Sequence, residues 1–221
     1  ALLDACDENT KVIWICSPNN PTGNSLTSEE IGRIMENIPS DTMVFVDEAY
    51  ASFITTDTDY IAPLVMKYNN LIIARTLSKF YGLPGLRVGF GFIGAGHDMF
   101  LSYCNKYLGY NRFSEAVALA ALESDDHYRN VADKMEWDRQ LFKKELGNLP
   151  GFKVYKSCAN FILIKYPTAI KDELKKAMAE QDYKIKFMSD KGLEDCLRIT
   201  LGRPEQIQVV VDTIKRCATA K

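Results

Sequence analysis

Between residues 76 and 87 the sequence reads Thr76-Leu77-Ser78-Lys79 and then, eight residues after the lysine, Arg87. The group follows an apolar run, Leu71-Ile72-Ile73-Ala74, whose length and branched side chains predict a buried strand. Two hydroxyls and an amine therefore stand where that strand should stop. In open α/β sheets, ligands sit beyond the carboxyl ends of the strands. An amine there can bond covalently to a carbonyl, while hydroxyls and a guanidinium hold a phosphate. Taken alone, Lys79 would read as a surface lysine after a strand.

Two other strand ends change that balance. Residues 11–16 (KVIWIC) predict a strand, broken by Ser17-Pro18-Asn19-Asn20-Pro21-Thr22-Gly23, a turn by composition. Residues 43–46 predict a second, broken by Asp47-Glu48-Ala49-Tyr50. Three strands in succession thus end in polar, reactive side chains, and the strand-end rule directs them to one crevice. A carboxylate, a phenol, a carboxamide, a lysine and an arginine are what pyridoxal 5′-phosphate requires. Lys79 would form the Schiff base, its amine kept partly neutral by desolvation and nearby cations. Asp47 would keep the pyridine nitrogen protonated, so that the ring accepts electrons from a substrate carbanion. Tyr50 and Asn20 can hold the ring's 3-oxygen, and Thr76, Ser78 and Arg87 suit the phosphate. Each piece has a plainer reading: Asn-Pro-Thr-Gly as a turn, Asp47-Glu48 as an acidic helix start. Occurring together in this order, they favour the functional one.

The elements that must position these residues are readable in outline. Thr27-Ser28-Glu29-Glu30 predicts a capping box, followed by Ile31, Ile34, Met35 and Ile38 at helical spacing and Pro39 as a stop. A short helix is expected near residues 63–66, a third strand over 71–75 and a fourth over 87–93. Strands alternating with helices predict an α/β unit with a mainly parallel sheet covered on both faces. The pattern changes after about residue 110. Residues 114–122 and 128–146 predict a long helix interrupted near Ser124-Asp125-Asp126. Strands are expected over 152–155, 160–164 and 196–200, with helices over 170–180 and 206–217. The expected organisation is a partial large domain over residues 1–110 and a smaller α+β domain over 111–221.

Composition narrows the partners. Among 221 residues, 47% are hydrophobic, 25% are charged and the formal net charge is −2. That is ordinary for a globular protein and offers nothing to nucleic acid or an anionic membrane. No apolar run approaches the ~20 residues that span a bilayer, and residues 1–6 lack the basic and apolar segments of a signal peptide. The six cysteines (Cys6, Cys16, Cys104, Cys158, Cys196, Cys217) form no C-x-x-C pair. Neither a zinc site nor a disulfide scaffold is expected, His97 and His127 read as surface residues, and no metal is called for. A cytoplasmic setting follows most simply.

The chain resembles the fold-type-I pyridoxal-phosphate aminotransferases of class I/II, and within them the histidinol-phosphate aminotransferase group. The resemblance is carried by SPNNPTG (17–23), VDEAY (46–50), TLSKFYGLPGLRVGF (76–90), ANFILIK (159–165) and CLRITLG (196–202). It implies Lys79 as the Schiff-base lysine and proton shuttle, and Asp47 as the partner of the pyridinium nitrogen. It implies Asn20 and Tyr50 on the 3-oxygen, and Ser78 and Arg87 on the phosphate. It also implies Arg198 as the arginine that binds the α-carboxylate of the amino donor, typically glutamate; this role comes from the resemblance alone.

Two departures from the family pattern stand out, the first of which bears on substrate. Where the group usually has an arginine that helps bind the substrate phosphate, Ile185-Lys186-Phe187-Met188 carries Lys186, which keeps the charge and loses the fork. Tyr110-Asn111-Arg112-Phe113 also differs from the usual sequence. Members of the family carry well over a hundred further residues before the SPNNPTG strand, so the chain reads as N-terminally truncated and is expected to bind the cofactor weakly and turn over poorly by itself. The implied reaction moves an amino group between glutamate and a keto acceptor such as imidazole-acetol phosphate, in a homodimeric parent with small-molecule partners. Alternatives are a decarboxylase or C–S lyase using the same cofactor, as in threonine-phosphate decarboxylases, and a catalytically incompetent fragment or non-catalytic binding domain.

Overall fold

A computed structural model of the chain describes residues 2–56, 60–95, 97, 102, 109 and 111–219. It forms two compact units, one of Ala1–Asn19 with Asn24–Tyr128, the other of Asn20–Gly23 with Arg129–Lys221. The expected domain boundary at Tyr110 lies outside the described residues, as does Cys104.

The first unit is built on four strands: β1 (Val12–Cys16), β2 (Met43–Asp47), β3 (Leu71–Thr76) and β4 (Gly89–Ile93), in that spatial order. β1, β2 and β3 run parallel, and β4 returns antiparallel to β3. The register sets Cys16 against Asp47 and Asp47 against Ala74, so the carboxyl ends of the three parallel strands stand side by side. Alternate residues (Ile13, Ile15, Val44, Val46, Leu71, Ile73) bury one face of this sheet with Ile31 and Met35 of α1 (Ser28–Glu36) and with Ile61 and Val65. Each fully buried branched aliphatic contributes about 1.5–3 kcal/mol, before the chain-entropy cost.

The capping box that starts α1 is present. Thr27 Oγ1 accepts from the Glu30 amide at 3.2 Å, and Glu30 Oε2 accepts from the Thr27 amide at 2.8 Å. The fourth strand starts two residues later than expected, because Arg87 turns left-handed at φ 57°. The segment near 63–66 is a 3-10 helix, Ala62–Met66. Coverage of both sheet faces is not met at the edge strand. Val12 and Trp14 of β1 are 61% and 64% exposed, and Trp14 stacks on Phe45 with ring centroids 4.0 Å apart. Among the described residues no element shields that face at β1.

Two helices follow, α2 (Arg112–Leu122) and α3 (Asp125–Leu146). They are interrupted where expected, and Asn111 caps α2 by accepting from the amides of Phe113 and Ser114. The second unit carries β5 (Lys153–Val154), β6 (Phe161–Lys165), β7 (Lys186–Phe187) and β8 (Cys196–Thr200), all antiparallel in the order β5-β6-β8-β7. One sheet face packs Ile162, Ile164, Leu197 and Ile199 against Phe142 and Leu146 of α3. Leu174 and Met178 of α4 (Lys171–Ala179) and Val211 and Ile214 of α5 (Pro204–Thr219) complete that core. The other face holds a smaller cluster of Leu163, Met188 and Cys196. Burial on both faces explains the unbroken apolar run Phe161-Ile162-Leu163-Ile164. No described helix is long and apolar enough to cross a membrane.

Candidate functional site

In the first unit the strand-end residues are held by backbone bonds that extend the ladder past each strand. The Ser17 amide donates to Asp47 O at 3.0 Å, and the Glu48 amide donates to Ala74 O at 2.9 Å. Asp47 is half-buried, and its Oδ1 accepts from the Ala49 amide at 3.0 Å, which shapes the turn into Tyr50. Tyr50 is buried, and Lys79 Nζ lies 5.7 Å from the centroid of its ring. Lys79 itself is exposed, so the described residues do not supply the desolvation expected around its amine. Its neighbour Phe80 is buried, edge-on to Phe53 at 5.1 Å and in contact with Tyr128 at 5.4 Å. The Tyr128 hydroxyl donates to Tyr81 O at 3.2 Å. The lysine thus projects from a turn whose next two residues are pinned by an aromatic cluster.

Thr76 and Ser78 act together. The Thr76 hydroxyl donates to Ser78 Oγ at 2.9 Å and accepts from the Ser78 amide at 3.1 Å. Arg87 is exposed, and its Nη1 folds back to donate to Pro84 O at 2.8 Å.

Behind these groups lies a pair that the strand-end reading passes over. Arg75 Nε donates to Glu48 Oε2 at 2.6 Å, with the two side chains 4% and 0% exposed. Burial pushes the Glu48 carboxyl above the usual carboxylate range, and the bond and charge of Arg75 pull it partly back. The signal available in sequence was an arginine inside an apolar strand beside an acid just past the neighbouring strand.

The second unit holds the remaining candidates. Arg198 of β8 donates from Nη1 to Asn20 Oδ1 at 2.7 Å, and its guanidinium lies over the Phe161 ring at 5.1 Å. Arg198 Nε is buried with no hydrogen-bond partner. Lys186 of β7 is the register partner of Arg198, so both cations leave the same sheet face, and Lys186 is exposed. The Asn20 turn is fastened by Gly23. Its carbonyl accepts from the Cys158 amide at 2.7 Å, its φ is +78°, and a side chain there would run into Ser157.

The structure therefore gathers the predicted residues in two sets, Asp47, Tyr50, Thr76, Ser78, Lys79 and Arg87 in one unit and Asn20, Lys186 and Arg198 in the other. The donor chemistry fits an anionic cofactor bearing a carbonyl and a ring nitrogen. The first set offers an amine, a carboxylate, a phenol and hydroxyls, and the second a partly buried guanidinium with one donor, Nε, unsatisfied.

Comparison with known proteins agrees. Residues 1–214 match the family described as Aminotransferase class I and II. The chain is 36% identical over 213 residues to histidinol-phosphate aminotransferase of Bacillus subtilis (strain 168), covering 96% of this chain and 58% of that protein. In fold it is similar to histidinol-phosphate aminotransferase from Sinorhizobium meliloti, solved in complex with pyridoxal-5′-phosphate, with TM-score 0.83, 23% identity and coverage of 96% and 58%. It is also similar to L-threonine-O-3-phosphate decarboxylase from Porphyromonas gingivalis, with TM-score 0.80, 28% identity and coverage of 96% and 66%. The chain thus spans a little under three-fifths of the length of the curated relative it matches. With the α/β architecture and the motifs at its strand ends, the chain belongs to the aminotransferase class I and II family.

Proposed function

We propose that this chain is part of a pyridoxal-phosphate-dependent transaminase that moves an amino group from glutamate to a phosphorylated keto acid or ketone, as histidinol-phosphate aminotransferases do. The observation that carries the reading is Lys79 at the end of β3, its amine 5.7 Å from the Tyr50 ring centroid at the end of the neighbouring strand. Lys79 would hold the cofactor's carbonyl carbon and Asp47 its ring nitrogen. Tyr50 and Asn20 would hold the ring oxygen, and Thr76, Ser78 and Arg87 the phosphate. When bound, pyridoxal phosphate supplies an electron-accepting ring for bond cleavage at the substrate Cα. As a free amine, Lys79 would be the group that takes and returns the proton at the substrate Cα. Asp47 keeps the ring nitrogen charged throughout. Arg198 holds the substrate α-carboxylate, and Lys186 meets its phosphate. Within this reading the whole protein is a cytoplasmic homodimer with small-molecule partners.

A second reading, decarboxylation with the same cofactor, is favoured by the similarity to the threonine-phosphate decarboxylase. Incubation with labelled glutamate and 2-oxoglutarate separates the two. Exchange of label between them, with no carbon dioxide from a phosphorylated amino acid, supports transamination. Carbon dioxide release without exchange overturns it.

A further inference from the structure

We propose that the buried Glu48–Arg75 ion pair is a positioning device for the Lys79 amine, an inference that rests on the role given to Lys79 above. The pair is short, at 2.6 Å, and its side chains are 0% and 4% exposed. The second carboxylate oxygen, Glu48 Oε1, is buried without a hydrogen-bond partner. Taking both charges out of water costs about as much as their attraction returns, and apolar pairs of similar volume commonly serve folding as well or better. Stability alone therefore gives little reason for the pair at this spot.

Its location does. Glu48 is the first residue after β2, flanked by Asp47 and two residues before Tyr50. Arg75 is the penultimate residue of β3, one before Thr76 and four before Lys79. The Glu48 amide donates to Ala74 O at 2.9 Å, so backbone and side chain of one residue both grip β3. The Arg75 guanidinium also lies 5.4 Å from the centroid of Phe92, on β4. One buried pair thus fixes β2, β3 and β4 against each other at the end where the candidate chemistry lies. Apolar contacts there would tolerate sliding, whereas a guanidinium bonded to a carboxylate sets direction as well as distance. The relation between Lys79 and the Tyr50 ring depends on that alignment, because each residue leaves its strand just past one member of the pair.

The test uses the chain itself, as wild type, as the double variant Glu48→Leu with Arg75→Met, and as Arg75→Lys. Thermal melting is recorded for each. Lysine reactivity is then followed by reductive methylation with formaldehyde and cyanoborohydride at mildly alkaline pH, resolved by peptide mass spectrometry, with exposed Lys11 as internal standard. The expected result is a double variant that melts close to wild type, while Lys79 methylates about threefold faster relative to Lys11 as its amine leaves the Tyr50 ring. Arg75→Lys, which keeps the charge and loses the fork, should fall between. A Lys79-to-Lys11 ratio unchanged in both variants overturns the proposal. If the double variant does not fold, Arg75→Lys decides alone by the same ratio. Titration of the wild type with pyridoxal phosphate reports separately on the parent reading. A missing band beside a Lys79 ratio that responds to the pair would sink the cofactor assignment and leave the positioning role standing.

Discussion

Arg198 and Asn20, 178 positions apart, are joined by a 2.7 Å hydrogen bond from Nη1 to Oδ1, while Arg198 Nε stays buried and unpartnered. A guanidinium held at one corner with a buried donor left over is primed for an anion. Arg198→Gln should weaken equilibrium binding of 2-oxoglutarate by about tenfold to a hundredfold, the range for a lost hydrogen bond to a charged group. Asn20→Ala should cost only a few-fold, since it removes the anchor and leaves the charge. Equal affinity for wild type and Arg198→Gln in calorimetric titration would count against the assignment.

Lys186 sits directly across β7 and β8 from Arg198. Like charges opposite one another on a sheet repel, so an anion between them relieves a cost already present in the free chain. Lys186→Arg should raise affinity for a phosphomonoester ligand by about threefold to tenfold over its unphosphorylated analogue, because the fork can bind two oxygens. A change shared equally by both ligands would argue that Lys186 does not read phosphate.

Gly23 combines a φ of +78° with a neighbour, Ser157, that leaves no room for a side chain. Gly23→Ala should therefore destabilise the attachment of the Asn20 turn by about 1–3 kcal/mol. Chemical denaturation followed by tyrosine and tryptophan fluorescence measures it, and an unchanged midpoint would contradict the packing described.

Burial, followed by the hydrogen bond and charge of Asp195, pushes the Cys196 thiol from its ordinary 9.0 up to about 11. The folded chain thus keeps a proton that the unfolded chain gives up, and this contribution to stability is lost as pH rises through that interval. At neutral pH Cys196 should resist iodoacetamide while half-buried Cys6 reacts. Mass spectrometry of the alkylated chain checks this, and Cys196 reacting first would mean that β8 is not closed as described.

How much could be read beforehand follows from how local each cause is. The capping box of Thr27 and Glu30 and the break between α2 and α3 are set by neighbouring residues, and both are visible in the sequence. The three parallel strand ends are visible because short β-branched runs stop abruptly at reactive side chains. Arg87 as the first residue of a strand is not correct, since the left-handed turn after Gly85 is invisible to hydrophobic pattern. Arg198 carries no local signal at all, and only family resemblance singles it out, because its partner Asn20 is so distant in the chain. The Glu48–Arg75 pair escapes for the opposite reason: a charge inside a strand run reads as punctuation unless the neighbouring strand is known to supply its partner.

Whether Lys79 is the amine that takes the cofactor is decided by an absorbance titration of the chain with pyridoxal phosphate, with Lys79→Ala run in parallel. The expected result is a weak but saturable band, distinct from free cofactor, that shifts on adding glutamate and disappears in the variant. A band of equal size in Lys79→Ala, or none in the wild type at high cofactor concentration, would contradict it for this chain.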